Sequence, residues 1–401
     1  MLGELVHQIG KVTYPLFERF SAIAWNNAPR PSGTRAVSRG MGHDPDRVLL
    51  AGGSSAVGWG VMNHDLALAG HLARATSAIT GRGTDVEVFS YPRLDIAGLH
   101  RELTPDVISR LDALVLTLGG RESFELMSTR LWRKQVEGLL NHITSGRREA
   151  PSIIVVGAEE TSPIPLGGGV ASMAMSRARA LNQVTREVVA SRPRVVYVES
   201  AFVPRPGTTS VFDDTVAVYE QAARAIAPTL ADLLEHAPDR VRQPVDEDAR
   251  ADAIRHLRTL NGADYPQLQT LLETAKDVLH LRSADLFFVD SDEVRLIAAT
   301  SVSQVASPRA NSLSTEILEH RRGLVIPDLA SDPRHSDRPQ VTGPPYLRFY
   351  AGYPVESPDG QPVAVFAVVD TKPRKFSRSE LTLLRTFAVQ AGSILFEGYN
   401  P

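Results

Sequence analysis

The chain has no cysteine among its 401 residues. That excludes disulfides, thiolate metal sites, cysteine nucleophiles and thioether-linked chromophores in one step, and nothing hints at an oxidising compartment. An excess of either charge is also missing. The 43 Lys and Arg against 46 Asp and Glu leave a net charge of −3, which provides no polybasic field for nucleic acid or anionic lipid. No apolar run approaches the roughly 18 residues a bilayer-spanning helix needs. The first residues do not read as a secretory signal, because Glu4, His7 and Lys11 interrupt them and no cleavage site follows. The expectation is a cytoplasmic protein with no nucleic-acid partner and no membrane partner. Leu2, Leu5, Val6, Ile9, Leu16, Phe17 and Phe20 instead space out as one helix face, to pack on its own domain or on a dimer partner.

What is present suits two cores. Hydrophobic residues make up 43% and charged residues 22%, over a length that fits two or three domains. Residues 1–46 read as a helix followed by a loop rich in Pro31, Ser32, Gly33 and Gly42. From Arg47 onward, apolar runs alternate with helical patterns. The runs are Val48–Ala51, Val86–Phe89, Ala113–Leu118, Ile153–Val156 and Val195–Val198. Uninterrupted strands separated by helices predict a parallel sheet covered on both faces, over residues 47–235. Thr104 followed by Pro105 predicts a helix start. Residues 236–246 are polar and charged and read as a linker. Residues 247–401 read as a second domain, beginning with helices over 247–260 and 265–281.

The most specific wording lies near the end. Arg348-Phe349-Tyr350-Ala351-Gly352-Tyr353-Pro354 is followed by Pro358-Asp359-Gly360, then Val363–Asp370, then Pro373-Arg374-Lys375-Phe376-Ser377. Physically this is strand, turn, strand, cap and helix. Asp359-Gly360 is a hairpin signal, and Ser377 with Glu380 is a capping box. The stretch resembles the C-terminal half of GAF domains, small sensor modules of signalling proteins, and the resemblance extends over 247–401. It implies an antiparallel sheet with a ligand pocket, to which Phe349, Tyr350 and Asp370 are assigned; a core aromatic pair and a turn aspartate are the alternative. His280, His320 and His335 read as solvent-facing rather than as haem ligands. Without cysteine a bilin cannot attach, so no cofactor and no metal is expected, and the ligand stays unnamed.

Three sites in the first domain also form a pattern. They are Gly52-Gly53-Ser54-Ser55-Ala56-Val57-Gly58-Trp59-Gly60, Gly119-Gly120-Arg121-Glu122 and Asp213-Asp214-Thr215. Their order resembles the blocks of SGNH (GDSL-type) hydrolases, in which a serine nucleophile, an oxyanion asparagine and an acid–base pair occupy such places. The resemblance implies Ser54 as nucleophile, with Gly53, Ser55, Gly119, Arg121, Glu122 and Asp213 around it. The departures bear on the chemistry. Gly53 replaces the family's aspartate, Arg121 the asparagine, Val216 the base histidine expected three residues after Asp213, and no histidine occurs anywhere between His142 and His236. A serine hydroxyl without a base is a weak nucleophile. His64 or His71 would have to serve from the next helix. Ser54 has a second reading, as the N-cap of a helix, whose N-terminus with Arg121 would suit an anion. The turn lacks the Gly-Lys-Ser/Thr ending of a phosphate-binding loop.

The combined expectation is an α/β protein: a parallel-sheet three-layer α/β/α domain, degenerate as a hydrolase, joined to an α+β GAF domain with an antiparallel sheet. Its role would be sensory or regulatory, with a homodimer and an unidentified small-molecule ligand as partners. A GAF-regulated serine esterase is the rival.

Overall fold

The structure is a computed structural model that describes residues 29–32, 35–145, 150–160, 168–202, 215–236, 247–257, 265–290, 292–301, 306–309, 312–358 and 360–397. The expected N-terminal helix, the segment 237–246 and Asp213 lie outside the described residues. The chain divides into two compact units, an N-terminal one of residues 1–41 and 45–241 and a C-terminal one of residues 242–401 with 42–44.

In the N-terminal unit the strands are β1 (Arg35–Arg39), β2 (Asp46–Gly52), β3 (Thr84–Phe89), β4 (Ala113–Thr117), β5 (Ser152–Val156) and β6 (Val195–Val198). The helices are α1 (Leu68–Thr80), α2 (Ile96–Glu102), α3 (Pro105–Ser109), α4 (Gly120–Phe124), α5 (Thr129–Thr144), α6 (Gly168–Ala190) and α7 (Thr215–Glu235). The sheet order is β1-β3-β2-β4-β5-β6, with β2 to β6 parallel. Successive side chains of each strand enter different cores, as the pleat requires. Leu49, Ala51, Leu114, Leu116, Ile153 and Val155 pack with Leu99, Ile108, Val136 and Leu181. Val48, Leu50, Val86, Val88, Val115 and Ile154 pack with Leu72, Ile226 and Leu230. Two helical layers therefore cover the sheet, which is why its strands read as continuous apolar runs.

One local expectation needs correction. The stretch read as a loop up to residue 46 contains β1, which pairs antiparallel with β3. Arg-Ala-Val-Ser-Arg lacks a buried-strand run because an edge strand needs little apolar surface, and its charges blunt the edge.

The C-terminal unit contains α8 (Glu247–Leu257), α9 (Pro266–Val278), β7 (Ser283–Val289), β8 (Glu293–Ala299), β9 (Ala306–Pro308), α10 (Leu313–His320), β10 (Leu324–Ile326), α11 (Pro339–Thr342), β11 (Phe349–Glu356), β12 (Pro362–Asp370) and α12 (Arg378–Leu395). The antiparallel sheet has the order β10-β11-β12-β7-β8-β9. The β11–β12 turn has Gly360 at φ 80; Asp359 itself is outside the described residues. The Ser377–Glu380 capping box opens α12. One sheet face carries Leu286, Phe288, Phe349, Phe366 and Val368 against α9 and α12. The other carries Tyr350, Val365, Ala367 and Val369 against Ile317, Leu329 and Val341.

Helix α8 belongs to this unit. Ala253 and Ile254 enter the helix-side core. Arg250 is 2% exposed and donates to the Val289 carbonyl and, at 2.7 Å, to Glu247. Arg309 reaches the same carboxylate at 2.8 Å. Part of the apolar face of this helix is thus used within the unit. The Leu257 side chain lies outside the described part. Among the described residues no helix is long and apolar enough to cross a membrane.

Candidate functional site

In the N-terminal unit the residues of interest follow from the strand order. Chain connectivity reverses direction between β2 and β4, so the helices after these strands cover opposite faces and the loops at their carboxyl ends diverge. Such a switch point leaves a crevice in open α/β sheets. Gly52 to Ser55 leave β2 there, and Gly119 to Glu122 leave β4. Hydrogen bonds tie the strand ends together. Ser90 Oγ donates to the Gly52 carbonyl at 2.6 Å, Thr117 Oγ1 to the Gly53 carbonyl at 2.9 Å, and Arg121 Nη1 to the Arg93 carbonyl at 2.9 Å.

Ser54 opens a four-residue 3-10 turn, Ser54–Val57, capped by Gly53 without a side-chain hydrogen bond. This corrects the N-cap reading: Gly53 holds the cap position, and regular helix resumes only at Leu68. The Ser54 side chain is outside the described part, and Ser55 is buried. Gly119 has φ 90, and its carbonyl accepts from Ser123 Oγ at 2.6 Å. Arg121 Nε donates to Glu125 at 2.7 Å, so the guanidinium expected to hold an anion is engaged inside the chain. Glu122 is 5% exposed. Burial pushes its carboxyl up to about 7, with help from Glu125 and Asp95 and against its own backbone N–H and Arg121. His64 is buried, and neither ring nitrogen has a hydrogen-bond partner. Burial holds both His64 and His71 below the ordinary imidazole value. His71 faces Arg74, Glu220 and Arg224. A neutral imidazole is the form a general base needs, yet among the described residues neither His64 nitrogen, nor Nε2 of His71, has a hydrogen-bond partner to orient it.

In the C-terminal unit the three expected pocket residues do not share one face. Phe349 and Tyr350 are neighbours on β11, so their side chains point to opposite sides. Phe349 joins the helix-side core and Tyr350 the other. Asp370 is the cross-strand partner of Phe349 and therefore lies on its side; its carboxylate accepts from the Lys372 N–H at 3.1 Å.

Around Tyr350 the fold gathers a polar cluster that the sequence did not announce. Tyr350 is 4% and His335 2% exposed, which corrects the reading of His335 as solvent-facing. Ser314, Glu316, Asp285 and Arg338 all act on the Tyr350 phenol, whose pKa burial drives well up. Ser314 is close enough to counter that push, but it is not aligned as a hydrogen bond to Tyr350 Oη. Arg338 Nε donates to His335 Nδ1 at 3.1 Å. With that nitrogen accepting, the neutral ring carries its proton on Nε2. His335 Nε2 lies 3.5 Å from Glu316 Oε2 without hydrogen-bond alignment. Two buried groups able to donate, Tyr350 Oη and His335 Nε2, thus lack an aligned hydrogen bond among the described residues, and Glu316 and Arg338 act on both. Buried polar groups left so are rare. The pattern suits a ligand offering hydrogen-bond acceptors; the carboxylates of Glu316 and Asp285 disfavour an anion. Among the described residues no three potential metal ligands converge.

Residues 266–395 match the family model of the GAF domain. The C-terminal unit contains a GAF domain. The chain is also similar to a cyclic di-GMP phosphodiesterase of Pseudomonas aeruginosa, at 25% identity over 146 residues, or 36% of this chain. It spans only 25% of that protein's length. Among solved structures, the type II free methionine-R-sulfoxide reductase of Thermoplasma acidophilum aligns at 16% identity and TM-score 0.29, covering 33% of this chain and 92% of that one. The GAF domain of an Acinetobacter phosphoenolpyruvate-protein phosphotransferase aligns at 13% identity and TM-score 0.29, covering 38% and 93%.

Proposed function

We propose that this is a regulatory protein whose GAF domain senses a small neutral molecule, while its N-terminal unit keeps an SGNH-like frame with little or no turnover. The sensing reading rests on one observation, the pair of buried groups Tyr350 Oη and His335 Nε2 that lack an aligned hydrogen bond among the described residues. A molecule with a carbonyl or ring-nitrogen acceptor would satisfy both and remove a desolvation cost of about 1–3 kcal/mol each. A set of neutral carbonyl-bearing heterocycles, screened by saturation-transfer NMR, should yield binders whose signal disappears in Tyr350→Phe. Binders indifferent to that change would move recognition elsewhere. The phosphodiesterase activity in the Pseudomonas relative's name is not carried over to this chain. A homodimer and a cytoplasmic location belong to the same reading; sedimentation of the full chain decides the first.

The SGNH-like reading of residues 47–235 is supported by the parallel sheet and by the Gly-rich turn at its switch point. A buried carboxyl that titrates near neutrality, Glu122, at the same sheet edge favours the rival, an esterase working through Ser54. Against it stand the engaged Arg121 and the lack of any histidine between His142 and His236. Short-chain nitrophenyl esters should be hydrolysed no faster by wild type than by Ser54→Ala. A rate lost in the variant would establish the esterase instead.

A further inference from the structure

We propose that the proton is itself a ligand of the C-terminal unit: His335 takes it up, and Arg338 with α11 then comes away from the Tyr350 face. The inference deepens the sensing reading by naming a control on the same site.

His335 belongs to the segment between β10 and β11, and its ring is buried. The charged groups around it are Glu316 of α10 and Asp332, Arg334 and Arg338 of its own segment. Glu316 pairs with Arg334 at 3.4 Å, and Arg334 with Asp332 at 2.9 Å. Only Nδ1 of His335 is hydrogen-bonded, to the Arg338 Nε–H. A proton from solvent must add to this nitrogen, because Nε2 already carries one. Nδ1–H then faces the Arg338 N–H, donor against donor and cation against cation. The same proton makes the imidazolium attractive to Glu316, 3.5 Å from Nε2. Protonation therefore exchanges Arg338 for Glu316 as the partner of the ring, with no other reactant consumed.

Arg338 is well placed to transmit that exchange. It caps α11, its carbonyl accepting from the Val341 N–H at 2.9 Å and the Thr342 N–H at 3.1 Å. Val341 is 3% exposed and packs in the same core as Tyr350, Ile317 and Leu329. Displacing Arg338 draws this lid residue off the Tyr350 face. Burial, and then Arg338, hold His335 below its ordinary value of 6.5 in the closed form. A histidine so depressed resists the proton while closed and regains its usual affinity when open. Opening is therefore favoured as pH falls below about 6.5, and closure above it.

Amide exchange of the full chain tests this without any ligand. Protection factors for residues 338–347, corrected for intrinsic rates and referred to α9, should fall in wild type between pH 7.5 and 5.5. Inside the window set by the two pKa values the fall is roughly tenfold per pH unit. His335→Asn places an amide oxygen where Nδ1 accepts and cannot titrate, so its protection should stay level. A level wild type, or an equal slope in His335→Asn, overturns the proposal. If that variant does not fold, imidazole nitrogen shifts of wild type decide: the Nε2–H tautomer is expected at pH 7.5, and an Nδ1–H tautomer overturns it. Failure here leaves small-molecule sensing standing, and failure of the heterocycle screen leaves the proton switch standing.

Discussion

Glu122→Gln is expected to stabilise the N-terminal unit by about 3 kcal/mol at pH 8 and by less than about 1 kcal/mol at pH 5. The carboxyl is buried where α4 leaves the switch point, with Glu125 and Asp95 as like-charged neighbours. Its pKa rises from 4.5 to about 7 on folding. At about 1.4 kcal/mol per pH unit this is a cost of about 3 kcal/mol once the group must ionise. The sign follows from proton binding. Between pH 4.5 and about 7 the folded chain holds a proton that the unfolded chain has released, so stability falls as pH rises through that window and levels off above it. The glutamine keeps the shape and discards the titration. Tryptophan fluorescence isolates the unit, because all three tryptophans, Trp25, Trp59 and Trp132, precede the division at residue 241. Urea unfolding at the two pH values should show the gap between variant and wild type widening toward pH 8. An equal gap at both would mean that Glu122 ionises normally in the folded chain. A group that changes charge near neutrality at the mouth of a sheet crevice could also move a proton there, so the same titration bears on any chemistry the crevice performs.

The sequence exposed some of this and concealed the rest for definable reasons. The parallel strands were legible because burial on both faces leaves an apolar run, as in Leu114–Leu116 and Ile153–Val155. The Ser377–Glu380 box and the turn at Gly360 were legible because each is local chemistry, fixed within four residues. β1 was not, since a five-residue edge strand is defined by the partner it pairs with and not by its own composition. Strand parity separates the residues expected to share a pocket: Phe349 and Tyr350 are adjacent, and their side chains enter different cores. His335 was hidden for the opposite reason. It sits in a charged stretch, Asp332 to Arg338, that reads as solvated surface. The fold makes it interior, with Glu316 of another element beside its ring. The alteration of the hydrolase blocks was visible, but not its consequence, because only the structure shows Arg121 occupied by Glu125 and the Arg93 carbonyl.

Gly52→Ala is expected to destabilise the N-terminal unit by about 3–5 kcal/mol, enough to abolish most of the stability of an ordinary domain. Two causes act together. Gly52 has φ 139, a region open to glycine and strained for any residue with a Cβ. A Cβ there would also lie 2.2 Å from the Thr117 carbonyl oxygen and 2.5 Å from Thr117 Oγ1. The first of these is backbone of the neighbouring strand, paired with Gly52 itself, and cannot turn aside as a side chain would. Relief requires β2 and β4 to part at their carboxyl ends, which also endangers the Ser90 bond to Gly52 and the Thr117 bond to Gly53. Gly81→Ala separates the two causes. Gly81 has φ 68 but nothing within 4 Å of the added Cβ, so only the conformational strain of roughly 1–2 kcal/mol applies. Urea midpoints followed by tryptophan fluorescence should therefore fall slightly for Gly81→Ala and severely for Gly52→Ala. Similar losses at the two positions would show that β2 and β4 are not in close contact at the switch point, and with that the crevice assigned to Gly53, Ser54 and Glu122 would lose its basis.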